Sequence, residues 1–260
     1  MREILYGRHA VEEALRAGRR QVFKVVLAQG GKPTVQATFR LAARERGIPV
    51  EMVPRQQLDR ISGGVHHQGV AAEAAPYHYH DLDDISGIPA AGPPPVLLLL
   101  DCLQDPQNFG ALLRTGEAVA VSGVVLPKRR SVGVTPAVVN ASAGAVEHLR
   151  VAQVTNMARA MEALKTKGFW IVGLEDDAQA RPYDQVDLDV PLALVVGSEG
   201  QGLGRLVKRT CDFLVRLPMR GRISSLNASI AGSIVLYEAL RQRERGRPVA
   251  DRPSAGADGG

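Results

Sequence analysis

Apolar side chains recur along most of this chain at two spacings, one helical and one strand-like. Val11, Ala14 and Leu15 fall three and four residues apart and give an amphipathic helix after Tyr6-Gly7-Arg8-His9, with Gly18 as its stop. The apolar run at 22–27 predicts a strand. Thr34 caps a helix to Gly47, 48–53 is a strand bounded by prolines, 55–61 a short helix and 69–75 a last strand. Residues 1–75 therefore predict a small α/β unit with its own core. Residues 76–95 change character: Tyr77-His78-Tyr79-His80, then Asp81, Asp83 and Asp84, then a run rich in Pro and Gly. That stretch predicts a linker, stiffest at Pro93-Pro94-Pro95.

From 96 to 245 the alternation resumes. The run at 96–100 has no polar residue, as expected of a strand covered on both faces. Helices are predicted at 109–120, 135–142 and 157–167, and strands at 123–126, 147–154, 169–174, 192–196 and 213–217. Pro218 stops the last strand. A final helix runs over 225–243 and carries Leu226, Ile230, Ile234, Tyr237 and Leu240 on a broad apolar face. This βα alternation predicts an α/β fold with a mostly parallel sheet and helices on both sides. Residues 246–260 lack apolar periodicity and predict a disordered tail.

Composition narrows the function classes. The chain has 260 residues, a net charge of +5 and a hydrophobic fraction of 45%, enough for a packed core and suited to a polyanionic partner. An aromatic content of 4% argues against a surface of base-stacking platforms. Cys102 and Cys211 are the only cysteines, with no C-x-x-C spacing, so neither a disulfide framework nor a zinc site is indicated. His9, His66 and His67 have no Cys or carboxylate cluster beside them, and no metal is expected. The charged N-terminus has no secretory core, and no apolar run reaches the roughly 20 residues needed to cross a bilayer, so no membrane partner and a cytoplasmic location are expected.

Candidate chemistry gathers in the last third. The strands at 192–196 and 213–217 end in Gly197-Ser198-Glu199-Gly200 and in Pro218 with a basic loop, followed by Ser224-Ser225-Leu226-Asn227. Open parallel sheets bind ligands in the crevice at such carboxyl ends. Gly197 lets a ligand approach the backbone, although a strand-to-helix turn with a dipole-favoured Glu199 explains the same residues. Ser225 and Asn227 are helix-start residues in either case. Upstream, with Phe109 opening a helix, Asn108 is its N-cap and Arg114 projects about a turn and a half further on. Lys128-Arg129-Arg130 is either a solvated turn or a phosphate grip, and Arg220 and Arg222 are better placed for the second role. The glycine spacing fits neither the dinucleotide fingerprint nor the P-loop.

Taken in order, Asn108-Phe109-Gly110-Ala111-Leu112-Leu113-Arg114-Thr115, Gly197-Ser198-Glu199-Gly200-Gln201-Gly202-Leu203 and Ile223-Ser224-Ser225-Leu226-Asn227 resemble the three motifs of the SpoU/TrmH class of RNA ribose 2′-O-methyltransferases. With the N-terminal segment and its His66-His67-Gln68-Gly69-Val70 phrase, the resemblance covers nearly the whole chain. It is strongest to the bacterial enzymes that methylate a guanosine of 23S rRNA. One departure is Arg114-Thr115-Gly116, where Arg-Thr-Ala is usual, which touches helix propensity rather than chemistry.

The resemblance implies a trefoil-knotted SPOUT methyltransferase fold behind an L30e/L7Ae-like substrate domain. It implies S-adenosylmethionine as cofactor, a homodimer joined through the final helix, and 23S rRNA or a ribosomal precursor as partner, with the peptidyl-transferase loop as the usual target. Arg114, Asn108, Glu199, Ser225 and Asn227 would be catalytic, and the backbone at Gly197, Leu217 and Leu226 would hold the cofactor. Within the class, tRNA or an antibiotic-resistance rRNA site is the alternative target. A binding protein that kept the fold without turnover is disfavoured by the intact motifs, and a nucleotide-dependent oxidoreductase by the missing fingerprint.

Overall fold

The computed structural model describes residues 2–198, 200–223 and 225–245. Glu199, Ser224 and the expected disordered tail at 246–260 lie outside them. The first sheet contains β1 (Glu3–Tyr6), β2 (Val22–Ala28), β3 (Val50–Val53) and β4 (Val70–Ala74) in the order β1-β4-β2-β3. Its β4 runs antiparallel to β1 and β2, while β3 is parallel to β2. Side chains alternate across a strand, so Val25 and Leu27 pack with the apolar faces of α1 (Arg8–Ala17) and α2 (Pro33–Glu45), whereas Val26 and Ala28 pack with Leu58 of α3 (Arg55–Ile61).

The second sheet is parallel throughout. It joins β5 (Val96–Leu100), β6 (Gly123–Pro127), β7 (Val151–Val154), β8 (Trp170–Leu174), β9 (Arg181–Pro182), β10 (Leu192–Val196) and β11 (Phe213–Arg216) in the order β7-β6-β5-β10-β8-β11-β9. All five residues of β5 are buried, as its unbroken apolar run requires. Leu98 and Leu100 face one layer, formed by α5 (Pro106–Ala118), α6 (Pro136–Ala141) and α9 (Ala228–Glu244). Leu97 and Leu99 face the other, where α4 (Leu82–Ile85), α7 (Met157–Thr166) and α8 (Arg205–Thr210) contribute Ile85, Leu164 and Val207. Burying each leucine contributes roughly 1.5–3 kcal/mol.

Several boundaries differ from the sequence expectation. Helix α5 starts at Pro106, and its N-cap is Asp105, whose carboxylate accepts hydrogen bonds from Gln107 N and Asn108 N. Proline is well suited to the first helical position because its missing N–H has no partner to lose there. Asn108 is thus inside the first turn and is not the cap. Helix α9 starts at Ala228 behind Asn227, so Ser225 belongs to the preceding loop. Residues Ala145–His148 form a 3₁₀ turn after Gly144, which has φ +83°, and β7 begins only at Val151. The short strand β1 had no expected counterpart.

The 76–95 segment is stitched to the second sheet. The Tyr77 hydroxyl donates to Leu149 O at 2.6 Å, the Tyr79 hydroxyl accepts from Val134 N at 2.8 Å, and His80 N donates to Val151 O at 2.9 Å. Ile85 lies over Gly123, where a Cβ would come within 2.8 Å of it. The two sheets also meet directly. Asn140 Nδ2 donates to Tyr6 O at 3.0 Å, His148 Nε2 lies 2.7 Å from the Glu13 carboxylate, and Arg20 forms a buried ion pair with Glu147. The hydrophobic core is therefore continuous from α1 to α9.

Candidate active site

The neighbouring strands β10, β8 and β11 end on one edge, and their outgoing loops enclose a cleft of about 520 Å³. Ligand sites of this size are ordinary for drug-sized molecules. Its walls are apolar at Val196, Leu217, Met219 and Leu226, with the glycine-rich loop after β10 on one side. That loop closes on itself through Ser198 N to Gly202 O at 3.2 Å and Gly202 N to Ser198 O at 3.0 Å. Gly202 has φ +63°, and a Cβ on Gly197 would run into the Gly202 carbonyl, so neither position accepts a side chain without moving the loop. Two carboxylates pin its exit. Glu175 Oε2 accepts from Leu203 N at 2.9 Å, and the buried Asp101 Oδ2 accepts from Gly204 N at 2.9 Å.

Of the residues singled out from the sequence, Gly197, Leu217, Leu226, Ser225 and Asn227 all line this cleft. Asn108 is buried directly behind it. Asn227 Nδ2 donates to Asn108 Oδ1 at 2.8 Å, and Ser229 Oγ donates to the same oxygen at 3.1 Å. The first and third motifs thus meet through side chains more than a hundred residues apart. Glu199 lies outside the described residues. Arg114 is not among the lining residues; it is exposed on α5 and makes no hydrogen bond or ion pair with a described residue.

Arg114 stands three residues beyond Ala111 and so shares its helix face. Ala111 borders a shallow groove of about 680 Å³ along α9, with Ile230, Ile234 and Tyr237. Ile230 and Tyr237 are each 53% exposed, a large apolar surface for one helix.

Three contributors escaped the sequence reading. Glu175 and Asp101 close strands β8 and β5 and carry the glycine-rich loop, and the only signal for them was an acid directly after an apolar run. Ser229 lies two residues after the cap Asn227, where a serine reads as an ordinary helix-start residue. The thiols take no part: burial raises Cys102 and pushes Cys211 up to about 12, so neither is a ready nucleophile. Among the described residues no group of three His, Cys, Asp or Glu could hold a metal ion, and no helix is long and apolar enough to cross a membrane.

The sequence model of the SpoU rRNA methylase family matches residues 95–237, more than half of the chain. The chain belongs to the SpoU rRNA methylase family. A second model, RNA 2′-O ribose methyltransferase substrate binding, matches residues 4–80 of this SpoU methylase. A Bacillus subtilis (strain 168) protein assigned to the TrmH family of tRNA/rRNA methyltransferases, YacO, is 46% identical over 244 residues, covering 93% of this chain and 96% of its own. The AdoMet-bound rRNA methyltransferase from Sinorhizobium meliloti superposes with a TM-score of 0.77 at 27% identity, covering 92% of this chain and 87% of its own. The SpoU methyltransferase AviRb from Streptomyces viridochromogenes, solved with AdoMet, has a TM-score of 0.77 at 24% identity, covers 94% of this chain and 92% of its own, and shares the fold. The parallel sheet with its carboxyl-edge cleft is thus the SPOUT methyltransferase fold.

Proposed function

We propose that this SpoU methylase transfers the methyl group of S-adenosylmethionine to the ribose 2′-hydroxyl of a guanosine in 23S rRNA, in the peptidyl-transferase loop. The carrying observation is the cleft at the ends of β10, β8 and β11, backed by the linked Asn108 and Asn227. Its residues fit the cofactor. The apolar walls suit an adenine ring, and the backbone at Gly197, Leu217 and Leu226 can supply directed bonds. The cofactor, when bound, brings a methyl already activated by a sulfonium charge. The protein must then orient the acceptor hydroxyl and ease the loss of its proton. Transfer would form the O–C bond as the C–S bond of the bound cofactor gave up its electron pair to sulfur, and the 2′-proton would pass to the adjacent phosphate or to water. Ser225 and Asn227 line the space beside the acceptor, with Glu199 as an orienting carboxylate.

Arg114 is the cation of this reaction. Guanidinium stays protonated at any working pH, so it acts by stabilising the developing alkoxide and gripping the neighbouring phosphate, not as a base. Its exposed place beside the apolar face of α9 suits a homodimer: a second copy covering Ile230 and Tyr237 would enclose Arg114 as well. The trefoil knot, with α9 threaded through the loop before it, belongs to the same proposal, as does action in the cytoplasm on rRNA or a ribosomal precursor.

Exposed Lys128, Arg129 and Arg130 support an RNA partner. Their loop is held to the one leading into α5, since Leu103 O accepts from Val132 N at 2.9 Å and from Ser131 Oγ at 3.1 Å. Mass-spectrometric mapping of ribose methylation in RNA from a strain lacking the gene tests the target. One 23S guanosine should lose its methyl; intact rRNA with an altered tRNA would refute the choice of 23S rRNA.

A further inference from the structure

The cleft has walls from three exits: the glycine-rich loop after β10, the residues after β8 and the end of β11. Residues 175–180 form no helix or strand, and the loop after β10 carries Gly197, Gly200, Gly202 and Gly204. Segments of this kind lose conformational freedom when a ligand orders them, which weakens binding. Contacts that order them beforehand remove that cost.

Such contacts run round the outside of the cleft. Lys208 is on α8, which follows the glycine-rich loop directly. Its Nζ lies 2.7 Å from Asp177 Oδ2 and 3.4 Å from Glu175 Oε1. Asp177 Oδ1 accepts from Gln179 N at 2.8 Å, and Asp177 O accepts from Ala180 N at 3.0 Å, which folds 177–180 into a turn. Ala180 O then accepts from Arg216 Nε at 3.1 Å, at the end of β11 and next to Leu217. The polar links thus pass from α8 through Asp177 to the strand end beside Leu217. Glu175, Arg216 and Leu217 line the cleft, whereas Asp177 and Lys208 stand behind it. The Lys208 ammonium holds the Asp177 carboxyl below its ordinary range, and that carboxylate raises Lys208 in return.

We infer that Asp177 and Lys208 are positioning residues for the cofactor: their ion pair, outside the cleft, holds two of its walls at the spacing the bound form needs. The inference rests on the cofactor cleft proposed above and adds the pair that preorganises it. A link that only fixes the walls changes affinity and leaves the chemical step alone, because Arg114 and the linked Asn108 and Asn227 are not on its path.

Calorimetry with S-adenosylmethionine on the full chain tests it. The two side chains are 27% and 31% exposed, so the pair is a modest one. Asp177→Asn and Lys208→Met should each raise the dissociation constant about fivefold, the upper range for such a pair. Lys208→Arg, which keeps the cation, should regain most of that loss. The double variant Asp177→Asn with Lys208→Met should also lose about fivefold, not the roughly 25-fold of independent sites. With deproteinised rRNA from a strain lacking the gene, kcat at saturating cofactor should stay within about twofold while the KM for cofactor rises.

Wild-type affinity in both single variants, or additive losses in the double variant, would overturn the pairing. Equal falls in affinity and kcat would overturn the positioning role by making the pair merely structural. If the wild-type protein binds no S-adenosylmethionine, or Gly197→Ala binds it as tightly as wild type, the proposed cleft fails instead, and the two failures are distinguishable.

Discussion

Replacing Arg20 by alanine should destabilise the whole protein. Arg20 lies between α1 and β2, and its side chain is 2% exposed; Glu147, on the 3₁₀ turn of the second sheet's layer, is 1% exposed. Arg20 Nη2 and Glu147 Oε1 lie 2.9 Å apart but off-line for a hydrogen bond, so that contact is Coulombic; the directed bond runs from Nε to Oε2 at 3.3 Å. Nη1 reaches Glu3 at 3.1 Å and Ala75 O at 3.3 Å. Alanine leaves the Glu147 carboxylate buried without its cation, which costs about 3–5 kcal/mol. In a chain of this size that lowers the Tm by roughly 6–20 °C.

Arg20→Met with Glu147→Leu removes both charges and should recover most of the loss. The pH dependence has a definite sign. Burial raises the Glu147 carboxyl and Arg20 pulls it back down. A carboxyl raised in the folded state favours folding while protonated and loses that contribution as pH rises through its folded value. Without Arg20 the carboxyl rises further, so the deficit of Arg20→Ala should be largest near pH 8 and shrink towards about pH 5. Urea unfolding at both values, with calorimetry for Tm, is the assay. A deficit below about 1 kcal/mol near pH 8, or a double variant as unstable as the single one, would refute the reasoning.

Gly197→Ala should weaken S-adenosylmethionine binding at least about tenfold in calorimetry, because the new Cβ displaces the loop at Gly202 that walls the cleft. Arg114→Lys should keep the cofactor dissociation constant and lose about 100-fold in kcat, since an ammonium cannot grip two oxygens side by side. Converting Lys128, Arg129 and Arg130 together to alanine should weaken RNA binding and flatten the plot of log affinity against log salt by about two units in filter binding. Tyr237→Asp, on the exposed face of α9, should sediment as a monomer under conditions in which the wild type forms the proposed dimer.

Much of the second sheet was legible in the chain. The purely apolar runs at β5 and β10 could only be central strands, and the 55–61 helix lies where its pattern put it. The cleft residues were legible because glycine and proline punctuation marks strand ends, where parallel sheets bind ligands. What the pattern could not give was competition between equivalent signals. Asp105 and Asn108 are both good caps, and the Asp105-Pro106 pair decided for Asp105. Ser225 and Asn227 compete in the same way, and Asn227 caps α9. The 76–95 segment looks like a linker in composition, yet its tyrosines find backbone partners brought near only by folding. Ser229 has the same origin: its two acceptors come from Asn227 nearby and from Asn108, 121 residues away.

Methyl transfer by the purified protein, followed by nuclease mapping of the product, tests the central claim most directly. Wild-type protein given labelled S-adenosylmethionine and rRNA from a strain lacking the gene should place the label on a ribose 2′-oxygen of one 23S guanosine, and Arg114→Ala should place none. Label on a base atom, or equal transfer by Arg114→Ala, would contradict it.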